Sequence, residues 1–127
     1  MQAYLIDVTN KEHKKVNVKD RPEWKDLAKL CGCKYVEAAH RRIGGRAYTI
    51  ICDEDGSLKE NRTSALYQNN EMALVGNLLV FKLSAGNELE GLDESDISII
   101  RNHIANVTFH VNDDIDTWPV LLNVSRI

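Results

Sequence analysis

The stretch Cys33–Asp53, CKYVEAAHRRIGGRAYTIICD, decides how this chain folds. Its two runs, Cys33–Ile43 and Arg46–Asp53, are rich in Tyr, Val, Ile and Thr and flank Gly44-Gly45. A Gly-Gly pair between β-prone runs marks a tight hairpin, because both central residues of the favoured turn take positive φ. If Ile43 pairs with Arg46, Cys52 falls opposite Glu37 and shares a face with Cys33, since parity is kept along both strands. A second turn follows at once in Asp53-Glu54-Asp55-Gly56.

Working outward to the N-terminal side, Tyr4, Ile6 and Val8 alternate with Ala3, Leu5 and Asp7, the two-residue period of a strand. Lys14–Lys19 carries Val16 and Val18 between polar residues and reads as a second, more exposed strand. Asp20 or Arg21 then precedes Pro22, and Trp24, Leu27, Ala28, Leu30 and Cys31 recur at helical spacing up to Gly32. These signals predict a helix of about ten residues.

On the C-terminal side, Met72–Leu83 reads as one buried strand with Gly76-Asn77 as a bulge or close backbone approach. A polar loop spans Ser84–Leu92. Asp93, with Asp96 three residues on, opens a helix whose stripe is Ile97, Ile100 and Ile104 and which ends near Asn106. The tail is strand-like at Val107–Val111 and Val120–Val124 around an acidic linker, Asn112–Thr117. The order β-β-α-β-β-β-α with this tail predicts an α+β fold: a mostly antiparallel sheet of about five to six strands with two helices packed on one face. A length of 127 residues suits a single domain, 1–127, with 1–106 as its core and 107–127 as a strand-like C-terminal extension.

Composition narrows the class. With 43% apolar residues, 28% charged and two prolines, the chain is globular rather than disordered. Its longest apolar run, Ala73–Leu83, is broken by Gly76, Asn77 and Lys82, short of the roughly 20 residues a membrane span needs. No basic segment precedes Leu5-Ile6 and Asp7 interrupts it, so no secretion signal is read and the expected compartment is the cytoplasm. The Asn-x-Ser/Thr triplets at Asn61, Asn106 and Asn123 are then chance matches. In a reducing compartment Cys31, Cys33 and Cys52 are thiols or metal ligands rather than disulfides.

Charge is uneven along the chain. Lys11 to Arg46 holds eleven Lys/Arg against five Asp/Glu, and Asp53 to the end holds five against thirteen. A pI near 5.8 argues against a strongly basic nucleic-acid binder, and no direct DNA binding is expected. The pattern fits a protein that docks on another charged protein.

Catalytic signatures are absent: no Gly-x-Ser-x-Gly elbow, Walker loop, Gly-x-Gly-x-x-Gly or His-Glu-x-x-His occurs, and no enzyme is expected. A calcium loop around Asp53-Glu54-Asp55-Gly56 fails because Arg62 stands where its bidentate Glu should be. The Cys/His set has three readings that stay open, one of them a catalytic thiolate, although no His stands beside a Cys in sequence. A structural zinc would take Cys31, Cys33 and Cys52 with His103, on the inner flank of the second helix, as fourth ligand. The separation of Cys33 and Cys52 along the strand, ~13 Å, would then require a bend near Gly32. Alternatively the three cysteines are small buried hydrophobes. Interfaces favour Trp, Tyr and Arg, which makes Arg41, Arg42, Tyr67 and Trp118 candidate anchors, with Asp113, Asp114 and Asp116 beside the last. Trp24, at helical spacing from Leu27 and Ala28, is expected in the core, and Trp118, before Pro119 and after three aspartates, at the surface.

Arg42-Ile43-Gly44-Gly45, Tyr48-Thr49-Ile50-Ile51-Cys52-Asp53-Glu54-Asp55-Gly56, Leu58-Lys59-Glu60-Asn61 and Ala73-Leu74-Val75-Gly76-Asn77, with the opening Ala3-Tyr4-Leu5-Ile6 and the Ile97–Ile100 region, resemble a family of small proteins carried by phages, plasmids and conjugative elements of Gram-positive bacteria. The similarity covers roughly residues 1–105 and stops before Val107. No catalytic residue is attached to these motifs, and they support Cys33 and Cys52 more than Cys31. Some members of such groups look like anti-CRISPR proteins, inhibitors of the Cas9 nuclease. The resemblance therefore implies a mobile-element accessory protein that inhibits host defence by binding a Cas9-type effector and blocking its DNA loading or cleavage. The alternative is a small zinc-binding regulator of mobile-element transcription or conjugation. A hydrolase or nucleotide-binding protein would instead need a pocket of a few hundred Å³ lined by the hairpin and the second helix.

Overall fold

The computed structural model describes residues 1–56, 62–86 and 88–127. In chain order its elements are β1 (Gln2–Asp7), β2 (Glu12–Asn17), α1 (Trp24–Cys31), β3 (Val36–Ile43), β4 (Arg46–Asp53), β5 (Thr63–Tyr67), β6 (Met72–Val75), β7 (Leu78–Lys82), α2 (Glu94–Asn102), β8 (Ile104–Val111) and β9 (Asp114–Arg126). The strands run β2-β1-β7-β4-β3-β9-β5-β6, with β8 paired to β9. Every pairing is antiparallel except β5 with β9.

The central hairpin forms with the expected register, Ile43 opposite Arg46 and Glu37 opposite Cys52. Gly44 and Gly45 take φ of +58° and +84°, which explains their choice of residue. A Cβ on Gly44 would also stand 2.8 Å from the Ile99 side chain, so the turn is pressed against α2.

Two parts of the predicted architecture are corrected. The sheet has nine strands rather than five or six. Met72–Leu83 is two strands, because Gly76 takes a φ of +76° and separates β6, at one end of the sheet order, from β7, which lies between β1 and β4. Thr63–Tyr67, assigned to no element from the sequence, is β5, and the acidic linker is absent. Asn112 and Asp113, at φ of +49° and +67°, make a two-residue hairpin turn, and Asp114 already belongs to β9. The second helix ends at Asn102 rather than near Asn106, and β8 starts two residues later.

The helices also pack on opposite faces rather than one. β1, β4 and β7 have apolar residues at consecutive positions, the mark of a strand buried on both sides. Tyr4, Ile6, Tyr48, Ile50, Leu78 and Val80 face one way, where they meet Ile97 and Ile100 of α2 and Trp118, Val120 and Leu121 of β9. Ala3, Leu5, Ile51, Leu79 and Phe81 face the other way, beneath Leu27 and Cys31 of α1.

The C-terminal segment is integral to the sheet. Thirteen residues long, β9 pairs with β8 up to Leu121, with β5 at Leu121 and Val124, and with β3 at Ser125 and Arg126. Asn123, at a φ of +58°, lies between the two β5 pairings at Leu121 and Val124, where the register shifts. The strand thereby joins the β1–β7–β4–β3 set to the β5–β6 pair.

Polar locks complete the frame. At the start of α2, Asp93 accepts from the Asp96 amide at 2.9 Å while Asp96 accepts from the Asp93 amide at 3.0 Å. This is a reciprocal cap. Asn77 accepts from the Val8 amide at 2.9 Å and donates to the Cys31 carbonyl at 3.2 Å, tying β1 to the end of α1. Among the described residues no helix is long and apolar enough to cross a membrane.

Candidate partner-binding face

The four residues read as a zinc set are not brought together. Cys31 is in the cluster on the α1 side and half-buried Cys33 packs against it, while Cys52 is in the cluster on the other face. His103 lies against the hairpin turn, its Nδ1 2.8 Å from the Ile99 carbonyl. Parity along β3 would put Cys33 with Cys52, but β3 begins only at Val36 and the chain has turned before it. Among the described residues no group of three or more His, Cys, Asp or Glu is placed to hold a metal. These positions do not fit a tetrahedral zinc.

Burial pushes the Cys31 and Cys52 thiols up to about 12, and their Sγ atoms lie 3.9 Å and 3.8 Å from the Ile51 and Glu37 carbonyls. Thiol reactivity follows the thiolate fraction. In a native titration with a disulfide reagent at neutral pH, Cys33 is expected to react first, and Cys31 and Cys52 only on unfolding. Rapid reaction of all three in the folded state, or a stoichiometric zinc lost in Cys52→Ser, would contradict this placement.

The two tryptophans exchange their expected places. Trp118 is buried at 3% exposure, because the aspartate nearest to it, Asp116, is neutralised by cations from distant parts of the chain. Asp116 binds Lys11 at 2.6 Å and Arg62 at 2.9 Å, and the Arg62 guanidinium lies over the Trp118 ring. Trp24 is 59% exposed. It keeps the predicted spacing from Leu27, but it is the first residue of α1 and faces a groove. Asp113 and Asp114 are exposed at the β8–β9 tip, beside Val111 and Ile115.

Arg41 and Tyr67, chosen separately from the sequence, do meet. The guanidinium of Arg126 lies 4.4 Å from the Tyr67 ring centre and that of Arg41 lies 5.8 Å from it, so one half-buried tyrosine carries two cations. Arg41 donates to the His40 carbonyl at 2.9 Å, and its buried Nε has no partner. Arg42 is on the opposite side of β3 and exposed. Lys11, Lys19, Arg46, Arg62 and Lys82 each meet a carboxylate at 2.6–3.4 Å, whereas Arg21, Lys29, Lys34 and Arg101 are in no ion pair among the described residues. Arg41, Arg42 and Arg126 have no carboxylate partner among the described residues.

These arginines border an incomplete stretch of sheet. β4 pairs with β3 along all of Val36–Ile43, but β9 covers only Arg41 and Arg42 on the other side. Between α1 and the sheet lies a groove of about 570 Å³ bordered by Trp24, Leu27, Ala38, His40, Leu83 and Leu89. A second concavity shares Ala38, His40 and Leu83 with it and reaches Arg126 and Ile127. The concave surface is therefore built by the hairpin and α1, not α2. Arg126 and the exposed Trp24 escaped the sequence reading. The available signal was Ala38-Ala39, two small residues where a strand favours larger ones. No family model, no curated protein and no solved structure matches this chain.

Proposed function

We propose that this chain is a non-enzymatic accessory protein of a mobile element that acts in the host bacterial cytoplasm and inhibits a Cas9-type defence nuclease by binding it directly. The observation that carries the binding role is the face around β3, where two arginines without a described carboxylate partner share the Tyr67 ring and an exposed tryptophan borders a groove. Uncompensated charge beside apolar area is what a protein interface uses to orient and then hold its partner. The nuclease as partner comes from the resemblance of the hairpin and glycine motifs to mobile-element proteins.

The test is retention of the purified chain on an immobilised panel of Cas9-type nucleases at physiological salt, followed by in vitro cleavage with each retained nuclease. At least one nuclease is expected to hold the chain and to lose target cleavage in its presence. Retention by none would end this reading.

A further inference from the structure

We propose that two copies of this chain pair through the outer edge of β8, each β8 lying antiparallel to the other about a two-fold axis at Thr108, so that the sheet continues from one copy into the next. The inference goes beyond the nuclease reading and does not depend on it.

β8 follows α2 directly and leads into β9 through the Asn112-Asp113 turn, so both of its ends are held within the fold. It pairs with β9 along its whole length, and among the described residues no strand pairs with its other side and no element but β9 runs alongside it. An exposed edge is a template for another strand, and proteins ordinarily guard edges with charge or keep them short. β2 carries exposed Glu12, Lys14 and Lys15, and β6 has four residues. β8 has eight, Ile104–Val111, with no Asp, Glu, Lys, Arg or Pro, and Ile104, Val107, Thr108, Phe109 and Val111 are β-branched or aromatic, the residue types that favour strands.

The backbone fixes which groups are free. The Leu122 amide donates to the His103 carbonyl at 2.7 Å, and these two residues stand opposite in the register that sets Ile104 against Leu121. Hydrogen-bonded and non-hydrogen-bonded pairs alternate along an antiparallel ladder. Val107 and Phe109 therefore bond to β9, while the amides and carbonyls of Asn106, Thr108 and His110 point outward. Thr108 Oγ1 lies 3.0 Å from Thr117 Oγ1, as suits a non-hydrogen-bonded pair, whose side chains stand closer. A two-fold axis at Thr108 makes the outward groups meet each other: Thr108 faces Thr108 of the second copy, and Asn106 faces its His110. On the Trp118 side of the strand, half-buried Val107 comes opposite half-buried Phe109 of the second copy, an aromatic and β-branched pair. Charge agrees, since exposed Asp113 at the hairpin tip falls beside the end of α2 in the other copy, where exposed Arg101 is in no ion pair with a described residue. An edge without charge selects no charged partner and is complementary to itself, as an isologous interface requires.

The experiment is sedimentation equilibrium of the full chain over a wide concentration range, where a monomer–dimer equilibrium is expected. Amide hydrogen exchange at low and high concentration then reads the edge. The amides of Asn106, Thr108 and His110 are expected to gain protection with concentration, while those of Val107 and Phe109, bonded to β9, are protected throughout. Thr108→Lys sets two ammonium groups side by side at the axis and is expected to raise the dimer Kd about tenfold or more, ~1.4 kcal/mol or above. Thr108 and Thr117, the partner of its hydroxyl, are both exposed, so the variant is expected to keep the melting temperature of the dilute chain, which checks that it folds.

A chain that stays monomeric at every concentration, a dimer whose Kd is unchanged by Thr108→Lys, or concentration-dependent protection on β2 or β6 in place of β8 would overturn the proposal. Protection of the β8 amides that needs added nuclease, with the free chain monomeric, would overturn it as well and make a strand of the nuclease the occupant. A dimer that no nuclease retains leaves the pairing standing and ends only the nuclease reading.

Discussion

Trp118→Ala is expected to destabilise the fold by about 3–5 kcal/mol, the cost of emptying a large buried aromatic site. The side chain does three jobs at once. Its ring stacks on Phe109 at 4.3 Å with the planes 8° apart, its Nε1 donates to the Thr63 carbonyl at 2.7 Å, and its outer face carries the Arg62 guanidinium at 4.9 Å. Arg62 in turn donates to the Val8 carbonyl at 2.7 Å and to Asp116. Removing the indole therefore opens a cavity and frees a carbonyl. It also loosens Arg62, which ties the end of β1, the entry to β5 and β9 together. Denaturant unfolding with circular dichroism is the check, and Trp118→Phe is expected to recover most of the packing but not the hydrogen bond. A loss below about 1 kcal/mol would mean that the site collapses around the gap.

Asp96→Ala is expected to cost about 3 kcal/mol, the range for breaking a buried ion pair or orphaning a buried donor. The Asp96 carboxylate, 2% exposed, accepts from the Tyr48 hydroxyl at 2.9 Å and from Arg46 at 3.1 Å, and meets Lys82 at 3.4 Å. Arg46 and Lys82 reach solvent and can be rehydrated. Tyr48 is fully buried, so its hydroxyl would lose its partner, and the cap of α2 would lose half of its reciprocal pair. Burial, and then the carboxylate beside it, hold the Tyr48 phenol far above its usual range. Asp96→Asn keeps an acceptor in place and is expected to cost less than alanine.

The same corner responds to acid. The Ser95 hydroxyl, the Asp96 amide and Lys82 hold the Asp93 carboxyl well below its ordinary value of 3.8. A carboxyl depressed in the folded state contributes stability that is complete above the unfolded value and is lost as the pH falls below it. Melting temperature is therefore expected to be insensitive to Asp93→Asn only in strongly acidic buffer, and to fall for that variant above about pH 4.

The amino-acid sequence by itself determined the local devices of this protein, because each depends on neighbours in the chain. Gly44-Gly45 set the hairpin and its register. Asp93 and Asp96 set the start of α2, and Gly32, at a φ of +68°, ended α1. Those residues act through turn geometry and capping within a few positions, and the structure matches them almost residue for residue. The apolar runs of β4 and β7 also held the fact that both faces need cover, although one-sided packing was read from them.

Tertiary structure decided everything that required two distant segments. Trp118 is buried because Lys11 and Arg62 neutralise Asp116, a pairing across 105 and 54 positions that no local window contains. Trp24 is exposed because a groove, not a strand, lies beside the first turn of α1. Cys52 is separated from Cys31 and Cys33 because the chain turns between Gly32 and Val36 and the sheet then stands between them. The candidate face was half legible: Arg41, Arg42 and Tyr67 were visible as residue types, but Arg126 joined them only through β9, which pairs it with Arg41 of β3, far away in sequence.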